Sequence, residues 1–508
     1  MPARARSTLG TEFAQAADDK RPVVWSIAGS DSGAGAGLQA DLKALQAFGV
    51  HGCTAVAAIT AQNSVSVTRV EPVSAELLDA QLHALEADMQ PQAIKTGLLG
   101  SVDNVHVVCQ WVDRLRAQGQ PVALVVDPVM GSTTGTAFAD DAVRQAYVTE
   151  LLPRATLVTP NQVEAQRLGL IEPAAQRALL QQGVSLCITG GDADGAQAND
   201  WFTSPQASGW LSLPRVETTH HHGTGCTFAS TAAAALASGY CVADAVVLAK
   251  MATTQALRHA YAAGQGAGPV QALPDFAQHI DNLPAFTLPG ASAALDVQAL
   301  PTFAALSNPS LGVYAVVDSA AWVRRVLESG IRTVQLRIKD PAEPTLAAQI
   351  VESIALAKAT PGAQLFINDH WQLALQHGAY GVHLGQEDLE QVDLQALRQA
   401  GVRLGLSTHI YWEVARAWAL RPSYIACGPI FATQSKDMPW IPQGLDNLRY
   451  WAGVLPLPVV GIAGIDASNV ADVAATGAAS AAVISAITRA ADPEAACRAL
   501  MSGFSRSS

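Results

Sequence analysis

Charge is scarce in this 508-residue chain. Asp, Glu, Lys and Arg make up 15% of it, against about 25% in an ordinary soluble domain, so burial rather than surface charge sets its character and extended disorder is excluded. Positive charge is scarcer still. The 31 Lys and Arg face 43 Asp and Glu, a net charge of −12, which leaves no electrostatic footprint for nucleic acid or an anionic membrane. Any phosphorylated ligand has to be captured by local backbone donors and a few placed cations. Cysteine pairs are missing too: Cys53, Cys109, Cys187, Cys226, Cys241, Cys427 and Cys497 form an odd, scattered set with no C-x-x-C pair and no zinc spacing. A reduced cytoplasm is the simplest home for them. Long apolar runs are absent. The stretch 229–237 is too short and too rich in small residues to cross a bilayer. The N-terminus carries Arg4 and Arg6 without the apolar segment of a secretory leader, and Glu12, Asp18 and Asp19 spoil a transit peptide.

What is there is two rounds of alternation between apolar runs and helical patterns. The length allows about three domains, or two of a larger α/β kind. In the first round, Val23–Ala28, Ala55–Ile59, Ala123–Val126, Thr156–Val158 and Val184–Ile188 read as buried strands with 3.6-period segments between them, which predicts a largely parallel sheet covered by helices. Around Pro284, Pro289, Pro301 and Pro309 the texture changes to Ala, Ser, Leu and Gly without periodicity, and is read as a linker. Alternation then restarts with strands at Val313–Val317, Thr333–Arg337, Gln364–Ile367, Gly381–Leu384, Arg403–Leu406, Tyr424–Cys427, Pro458–Ile462 and Ala481–Ile484. A count of eight with no spare element favours a small (β/α)8 barrel over an open doubly wound sheet. The expected organisation is a disordered tail over 1–20, an α/β domain over 21–280, a linker over 281–311 and a barrel over 312–508.

The first strand runs into Gly29-Ser30-Asp31-Ser32-Gly33-Ala34-Gly35-Ala36-Gly37, then a helix with Leu38, Leu42 and Leu45 on one face. A dinucleotide fingerprint is excluded, because Ile59-Thr60-Ala61-Gln62-Asn63 offers no acid for a ribose. Asp41 lies at the edge of the apolar stripe, as either a partly exposed helix residue or a polar anchor into a pocket. The sharpest feature is Gly223-Thr224-Gly225-Cys226 before a small-residue helix over 227–238. Converging N–H groups and the helix dipole there would make an anion site suited to a transferring phosphoryl group. They would also favour the Cys226 thiolate, as a base or polar contact for a substrate hydroxyl; the plain alternative is a loop with an inert cysteine. His220-His221-His222 cannot all face one ion and reads as solvated loop or nucleotide contact.

These segments, with Lys95-Thr96-Gly97-Leu98-Leu99, Asp127-Pro128-Val129-Met130 and Thr159-Pro160-Asn161 with Glu164, resemble the hydroxymethylpyrimidine/phosphomethylpyrimidine kinases of thiamine synthesis over residues 22–275. The resemblance implies a ribokinase-like fold, ATP as co-substrate and Mg²⁺. It implies that Gly29, Asp41 and Gln62 hold the aminopyrimidine, that Asn161, Glu164 and Thr224 lie near the Mg-ATP phosphates, and that Gly223, Gly225 and Cys226 handle phosphoryl transfer. Two lysines usual in the family are replaced, near Thr133 and at Thr189, which removes positive charge from the phosphates and bears on kinase rate or the second phosphorylation.

In a barrel, chemistry collects where strands end. Gln335, Arg337 and Lys339, at period-2 spacing, are expected on one side of the second strand. Asp369 and Asp388 form an oxygen-ligand pair for Mg²⁺, and Gly464 and Ser485 end the last two strands, where barrels build phosphate cups. This constellation is similar to thiamine phosphate synthases, which implies a TIM barrel over residues 312 to about 500. By that resemblance Gln335, Arg337, Lys339, Asn368 and Lys436 bind pyrophosphate or pyrimidine, and Asp369 and Asp388 the metal. Ser407 faces the reacting pyrimidine, and Thr433, Ser435, Gly464, Ile484 and Ser485 hold the thiazole phosphate. Ala463 replaces a usual glycine. The expected activity is phosphorylation of hydroxymethylpyrimidine and its monophosphate, then coupling to thiazole phosphate. The alternative is a pyridoxal-type kinase fused to a non-catalytic ligand-sensing barrel. The implied partners are small molecules; a homo-oligomer is compatible with the sequence.

Overall fold

The computed structural model describes residues 20–131, 140–191, 193–291, 301–432 and 441–505. The described residues form two compact units, divided between Gln298 and Ala299. The expected tail, except Lys20, lies outside the described residues, as do Thr133, Thr433, Ser435 and Lys436.

The first unit is built on one ten-stranded sheet. Its strands are β1 (Val23–Ser30), β2 (His51–Gln62), β3 (Val67–Pro72), β4 (Ala93–Thr96), β5 (Ala123–Val126), β6 (Leu157–Val158), β7 (Ser185–Ile188), β8 (Gln197–Thr203), β9 (Ser208–Pro214) and β10 (Ala285–Phe286). They lie in the order β10-β9-β8-β7-β6-β5-β4-β1-β2-β3. The six strands from β7 across to β2 run parallel, and the outer strands are antiparallel additions. Parallel strands with both faces covered must be apolar throughout; β1, buried from Val24 to Gly29, reads that way.

The helix Gly37–Phe48 departs from its expected face. Its buried stripe runs through Leu38, Asp41, Leu45 and Phe48, while Leu42 is 39% exposed. Asp41 is at the middle of the stripe, so the sheet has to satisfy a carboxylate. Two tight backbone approaches fix the ends of this helix and of the helix Thr224–Ala237. Gly37 has φ +56°, and a Cβ there would collide with Gly29 O; Gly223 has φ +86°, and a Cβ there would collide with Gly35 O. Only glycine meets both demands. The second helix begins at Thr224 rather than 227, which puts Gly225 and Cys226 inside its first turn.

Residues 281–311, expected as a linker, are structured at both described ends. Ala285 and Phe286 pair with Ser212 and Leu211 of β9. On the other side Phe303 N–H donates to Arg421 O and the Phe303 ring is 5% exposed. Their aromatic side chains, rather than periodicity, anchor these ends.

The second unit is a closed barrel of eight parallel strands. They are β11 (Gly312–Val317), β12 (Thr333–Leu336), β13 (Gln364–Asn368), β14 (Gly381–Leu384), β15 (Arg403–Thr408), β16 (Tyr424–Cys427), β17 (Val459–Ile462) and β18 (Ser480–Val483). Barrel closure with so few strands leaves an interior that side chains must fill. Tyr314, Phe366 and Tyr424 fill it, the Phe366 and Tyr424 rings meeting edge-to-face with centroids 5.1 Å apart. Such bulk fits only because glycines face it: a Cβ on Gly405 would overlap the Tyr424 ring. Gly405→Ala should therefore cost about 1–3 kcal/mol of stability through overpacking, read as a lowered urea midpoint for the barrel; an unchanged midpoint would show that the ring can retreat.

Two candidate active sites at the ends of parallel strands

The first site is a cavity of about 490 Å³ at the carboxyl ends of the parallel strands, where open α/β sheets bind ligands. The glycine loop after β1 forms one wall. Asp31 organises it: its carboxylate accepts from the N–H groups of Gly33, Gly35 and Ala36 at 2.8–2.9 Å, and His222 Nε2 lies 3.1 Å away. Burial pushes the Asp31 carboxyl up, but His222 and these N–H donors outweigh it and hold it below the usual carboxylate range. His222 Nε2 is also 3.1 Å from Gln62 Nε2, and a Cβ on Gly35 would collide with the imidazole. The middle of the loop, His222 and Gln62 are thus one packed group. Of the three histidines His222 alone makes it, through a contact that consecutive spacing could not show.

Asp41 does not reach this cavity. Fully buried, it accepts from Ser26 Oγ at 2.6 Å, Ser230 Oγ at 2.8 Å and Lys95 Nζ at 2.9 and 3.1 Å. Both oxygens are occupied, which corrects its expected place among pyrimidine contacts: it anchors Lys95. Lys95, also fully buried, sits at the cavity floor with Asp127 Oδ2 3.5 Å from its Nζ. Burial lowers the affinity of Lys95 for its proton, but Asp41 and Asp127 outweigh it and keep the ammonium charged. Asp127 Oδ2 has no hydrogen-bond partner, and burial raises the proton affinity of this carboxyl against the pull of Lys95.

Cys226 stands at the same floor, and of its two readings the site disfavours the thiolate. Burial pushes the thiol up to about 12; Lys95 pulls it down, but Asp41 and Asp127 push it up again. A helix N-terminus cannot hold an anion against two buried carboxylates and desolvation. Gly29, Gln62, Asn161, Glu164, Gly223, Thr224 and Gly225 line the cavity as expected. Asn161 and Glu164 also close a capping box on the helix Gln162–Arg167, with Asn161 Oδ1 accepting from Glu164 N and Glu164 Oε2 from Asn161 N, both at 2.9 Å. At the far end Lys250 Nζ meets Asp200 Oδ2 at 2.8 Å and Ala198 O at 3.1 Å, while Asp200 Oδ1 accepts from Gly190 N. Neither charge was singled out from the sequence; a lone lysine in an Ala-rich buried helix was the available signal.

The second site is a cavity of about 170 Å³ at the carboxyl ends of the barrel strands. Gln335, Arg337, Asn368, Asp369, Asp388, Ser407, Gly464, Ile484 and Ser485 line it as expected. Lys339 does not: β12 ends at Leu336, so the alternation stops before it, and the residue is exposed. Burial, with repulsion from Asp388, pushes the Asp369 carboxyl up to about 6 despite Arg337 nearby. Asp388 Oδ2 accepts from Gly385 N at 2.9 Å. Asp369 (φ +61°) and Ala463 (φ +80°) hold left-handed backbone that glycine favours, an arrangement that concentrates at functional sites. His383 on β14, absent from the expected set, lies beneath Ser407 and lines the cavity. Burial and Arg337 bring its imidazole down to about 4, so it is neutral at pH 7. A single histidine in an apolar strand was its signal.

An open α/β sheet and a closed parallel barrel, each with charged groups in a cavity at its strand ends, define a two-domain α/β chain with two candidate active sites. A family model described as phosphomethylpyrimidine kinase matches residues 31–271, and one described as thiamine monophosphate synthase matches residues 313–487. A protein of Oryza sativa subsp. japonica, "Probable thiamine biosynthetic bifunctional enzyme, chloroplastic", is 34% identical over 492 residues, covering 93% of this chain and 86% of that protein. The thiamine-phosphate synthase of Klebsiella pneumoniae is 54% identical over 192 residues, 38% of this chain and 90% of that one. Among solved structures, the phosphomethylpyrimidine kinase of Clostridium difficile 630 is 32% identical with a TM-score of 0.40, covering 47% of this chain and all 100% of that one. The pyridoxal kinase of Staphylococcus aureus with AMP-PCP and pyridoxal is 30% identical with a TM-score of 0.45, over 50% and 94%. The chain belongs to the family of bifunctional thiamine biosynthetic enzymes, a phosphomethylpyrimidine kinase domain followed by a thiamine-phosphate synthase domain. No helix among the described residues is long and apolar enough to cross a membrane.

The anchoring role of Asp41 has a direct test. Asp41→Ala strands the Lys95 ammonium and two serines, so about 3–5 kcal/mol should be lost, measured by denaturant unfolding of the kinase domain. Unchanged stability with a raised KM for the pyrimidine alone would return Asp41 to the ligand.

Proposed function

We propose that the first cavity phosphorylates hydroxymethylpyrimidine and then its monophosphate with ATP, and that the second joins the diphosphate to thiazole phosphate. The observation that carries this is the pairing of a glycine-turn helix N-terminus over a buried lysine in one domain with facing carboxylates beside an arginine in the other.

In the kinase site, Gly29 and Gln62 hold the aminopyrimidine, and the N–H groups of Gly225 and Cys226 receive the phosphoryl group in flight. Lys95 supplies the fixed cation beneath it. Cys226, as a thiol, contacts the substrate hydroxyl. A strong base is not required there, since phosphoryl transfer passes through a loose transition state dominated by positioning and charge stabilisation. Asn161 and Glu164 lie on the phosphate side with Thr224. Asp127 fits a magnesium site, having a buried oxygen without a hydrogen-bond partner.

In the synthase site, Gln335, Arg337 and Asn368 bind the diphosphate side, and Gly464, Ile484 and Ser485 the thiazole phosphate. Thr433, Ser435 and Lys436 belong to the same proposal from the sequence. Asp369 and Asp388 fit Mg²⁺, which takes one or two carboxylates and substrate oxygens, because their mutual repulsion calls for a cation. When bound, the metal supplies positive charge for the leaving pyrophosphate. As the methylene C–O bond breaks, its electron pair leaves with pyrophosphate, and the thiazole nitrogen donates the pair that forms the new C–N bond. With none of the seven cysteines in a disulfide, a reducing cytoplasm suits the chain.

Purified protein with ATP, Mg²⁺, hydroxymethylpyrimidine and thiazole phosphate should yield ADP, pyrophosphate and thiamine phosphate; no thiamine phosphate from supplied pyrimidine diphosphate would refute the synthase assignment. Faster turnover of pyridoxal would favour the rival kinase. Cys226→Ala should slow phosphorylation at least about tenfold and leave coupling within about twofold, and Asp369→Ala the reverse. Because Asp369 is protonated below about pH 6 without metal, Mg²⁺ affinity of the barrel should fall about tenfold from pH 7 to pH 5 as the ion displaces that proton. Calorimetry in two buffers of different ionisation heat reads both the affinity and the proton release, and pH-independent binding would exclude Asp369 as a ligand.

A further inference from the structure

Below the barrel cavity, five side chains from five strands form an unbroken line of hydrogen bonds that ligand contact alone does not explain. Gln335 Nε2 donates to Tyr314 Oη at 3.2 Å. Tyr314 Oη is 2.8 Å from Tyr424 Oη, Tyr424 Oη is 2.7 Å from His383 Nδ1, and His383 Nε2 is 2.8 Å from Ser407 Oγ. Tyr314 and Tyr424 are 1% and 0% exposed and are not part of the cavity wall. Ser407 is.

Each hydroxyl has one proton to give, and so does a neutral imidazole. With the amide end donating, one direction alone leaves no buried tyrosine proton without an acceptor in the line. With Gln335 donating, Tyr314 gives its proton to Tyr424, and Tyr424 gives its own to His383 Nδ1. His383 then carries its proton on Nε2 and directs it at Ser407 Oγ. The hydroxyl proton of Ser407 has no acceptor left within the line, and the cavity is where it can go. With the amide turned over, Oε1 would accept from Tyr314, every bond would reverse, and Ser407 would give its proton to His383.

We propose that this line holds His383 as the Nε2–H tautomer and so makes Ser407 a hydrogen-bond donor toward the bound substrate rather than a nucleophile or base. The proposal rests on reading the cavity as the coupling site. There the diphosphate gains negative charge as the C–O bond breaks, so a donor fixed in advance serves the transition state more than the ground state. Tyr314 and Tyr424 touch no substrate; they are positioning residues that act through His383.

The test is nitrogen NMR on the full chain with ¹⁵N-labelled histidine, the His383 signals being assigned by their loss in His383→Gln. The expected result at pH 7 is a proton on Nε2 and none on Nδ1. Tyr424→Phe removes the donor to Nδ1, so the Nδ1–H tautomer should appear. The kcat for thiamine phosphate should fall about tenfold while KM for the pyrimidine diphosphate stays within about twofold. Should Tyr424→Phe fail to fold, Tyr314→Phe removes the acceptor of a Tyr424 proton turned the other way, so Tyr424 should still donate to Nδ1 and the Nε2–H tautomer should persist, whereas Ser407→Ala should lower kcat without moving the tautomer. A proton on Nδ1 in the unaltered chain would overturn the proposal, as would a Tyr424→Phe variant that keeps both tautomer and rate. An Nε2–H tautomer in a chain that makes no thiamine phosphate would overturn the reading of the cavity instead.

Discussion

The contact between Lys95 and Asp41 ties the kinase half together. Two opposite charges with no exposure to water are costly to bury, and their attraction repays the cost only when every remaining lone pair and proton is satisfied. Here Ser26 from β1 and Ser230 from the helix Thr224–Ala237 complete the shell of Asp41, while Lys95 comes from β4. One carboxylate thus joins two central strands and two helices across the sheet. Low dielectric strengthens such a network when it is complete and makes each gap expensive, so these elements have one mutual arrangement. That arrangement places Gly223 against Gly35 and sets the Cys226 turn over Lys95. Burial, with Asp41 and Asp127 nearby, keeps the proton on Cys226 against the pull of Lys95.

The barrel answers a similar demand with neutral groups. Its interior is filled by apolar and aromatic side chains, yet the cavity above needs oriented polar atoms. A line of hydroxyls, an amide and a neutral imidazole reaches into the core without an ion, and ionisation begins only at the rim, with Arg337, Asp369 and Asp388. Burial lowers the proton affinity of Arg337 while Asp369 raises it, so the rim charges hold one another in their working forms.

The eight barrel strands were legible because each is a short apolar run closed by a turn, and two of them, Gly381–Leu384 and Tyr424–Cys427, have the bounds read from sequence. The parallel core of the first sheet was legible for the same reason. Strands β8 and β9 were not: half-buried on one face and carrying Asn199, Asp200, Trp201 and Trp210, they lack the continuous run. Motif residues on strand ends and glycine turns were found at the cavities, since backbone geometry ties those residue types to position. What spacing could not supply was depth. Asp41 is buried and Lys339 exposed, yet the spacing left Asp41 at the edge of a helix stripe and turned Lys339 inward; only the helix face and the end of β12 separate them. His383 was missed for the opposite reason, since a polar residue in an apolar strand signals a buried polar group but not the partners that other strands bring to it.

Protonation state was the least legible property, and both sites show why. Cys226 at a helix N-terminus is a textual signal for a thiolate, but a helix end contributes about half a unit charge, whereas the nearby carboxylates bring whole charges through a medium that screens little. Asp369 reads as an ordinary ligand carboxylate, but desolvation and Asp388 raise it to about 6, so its proton competes with a cation in the weakly acid range. In each case the sequence names the group and the fold's other charges decide its state. An acidic chain that handles phosphates must therefore keep its anions paired, protonated or metal-bound until substrate enters. Buried lysine does this in the first site, and carboxylates that await a divalent ion do it in the second. The scarcity of charge and its concentration at these few positions are then one property: among the described residues, Asp41 with Lys95 and Asp200 with Lys250 are buried as pairs.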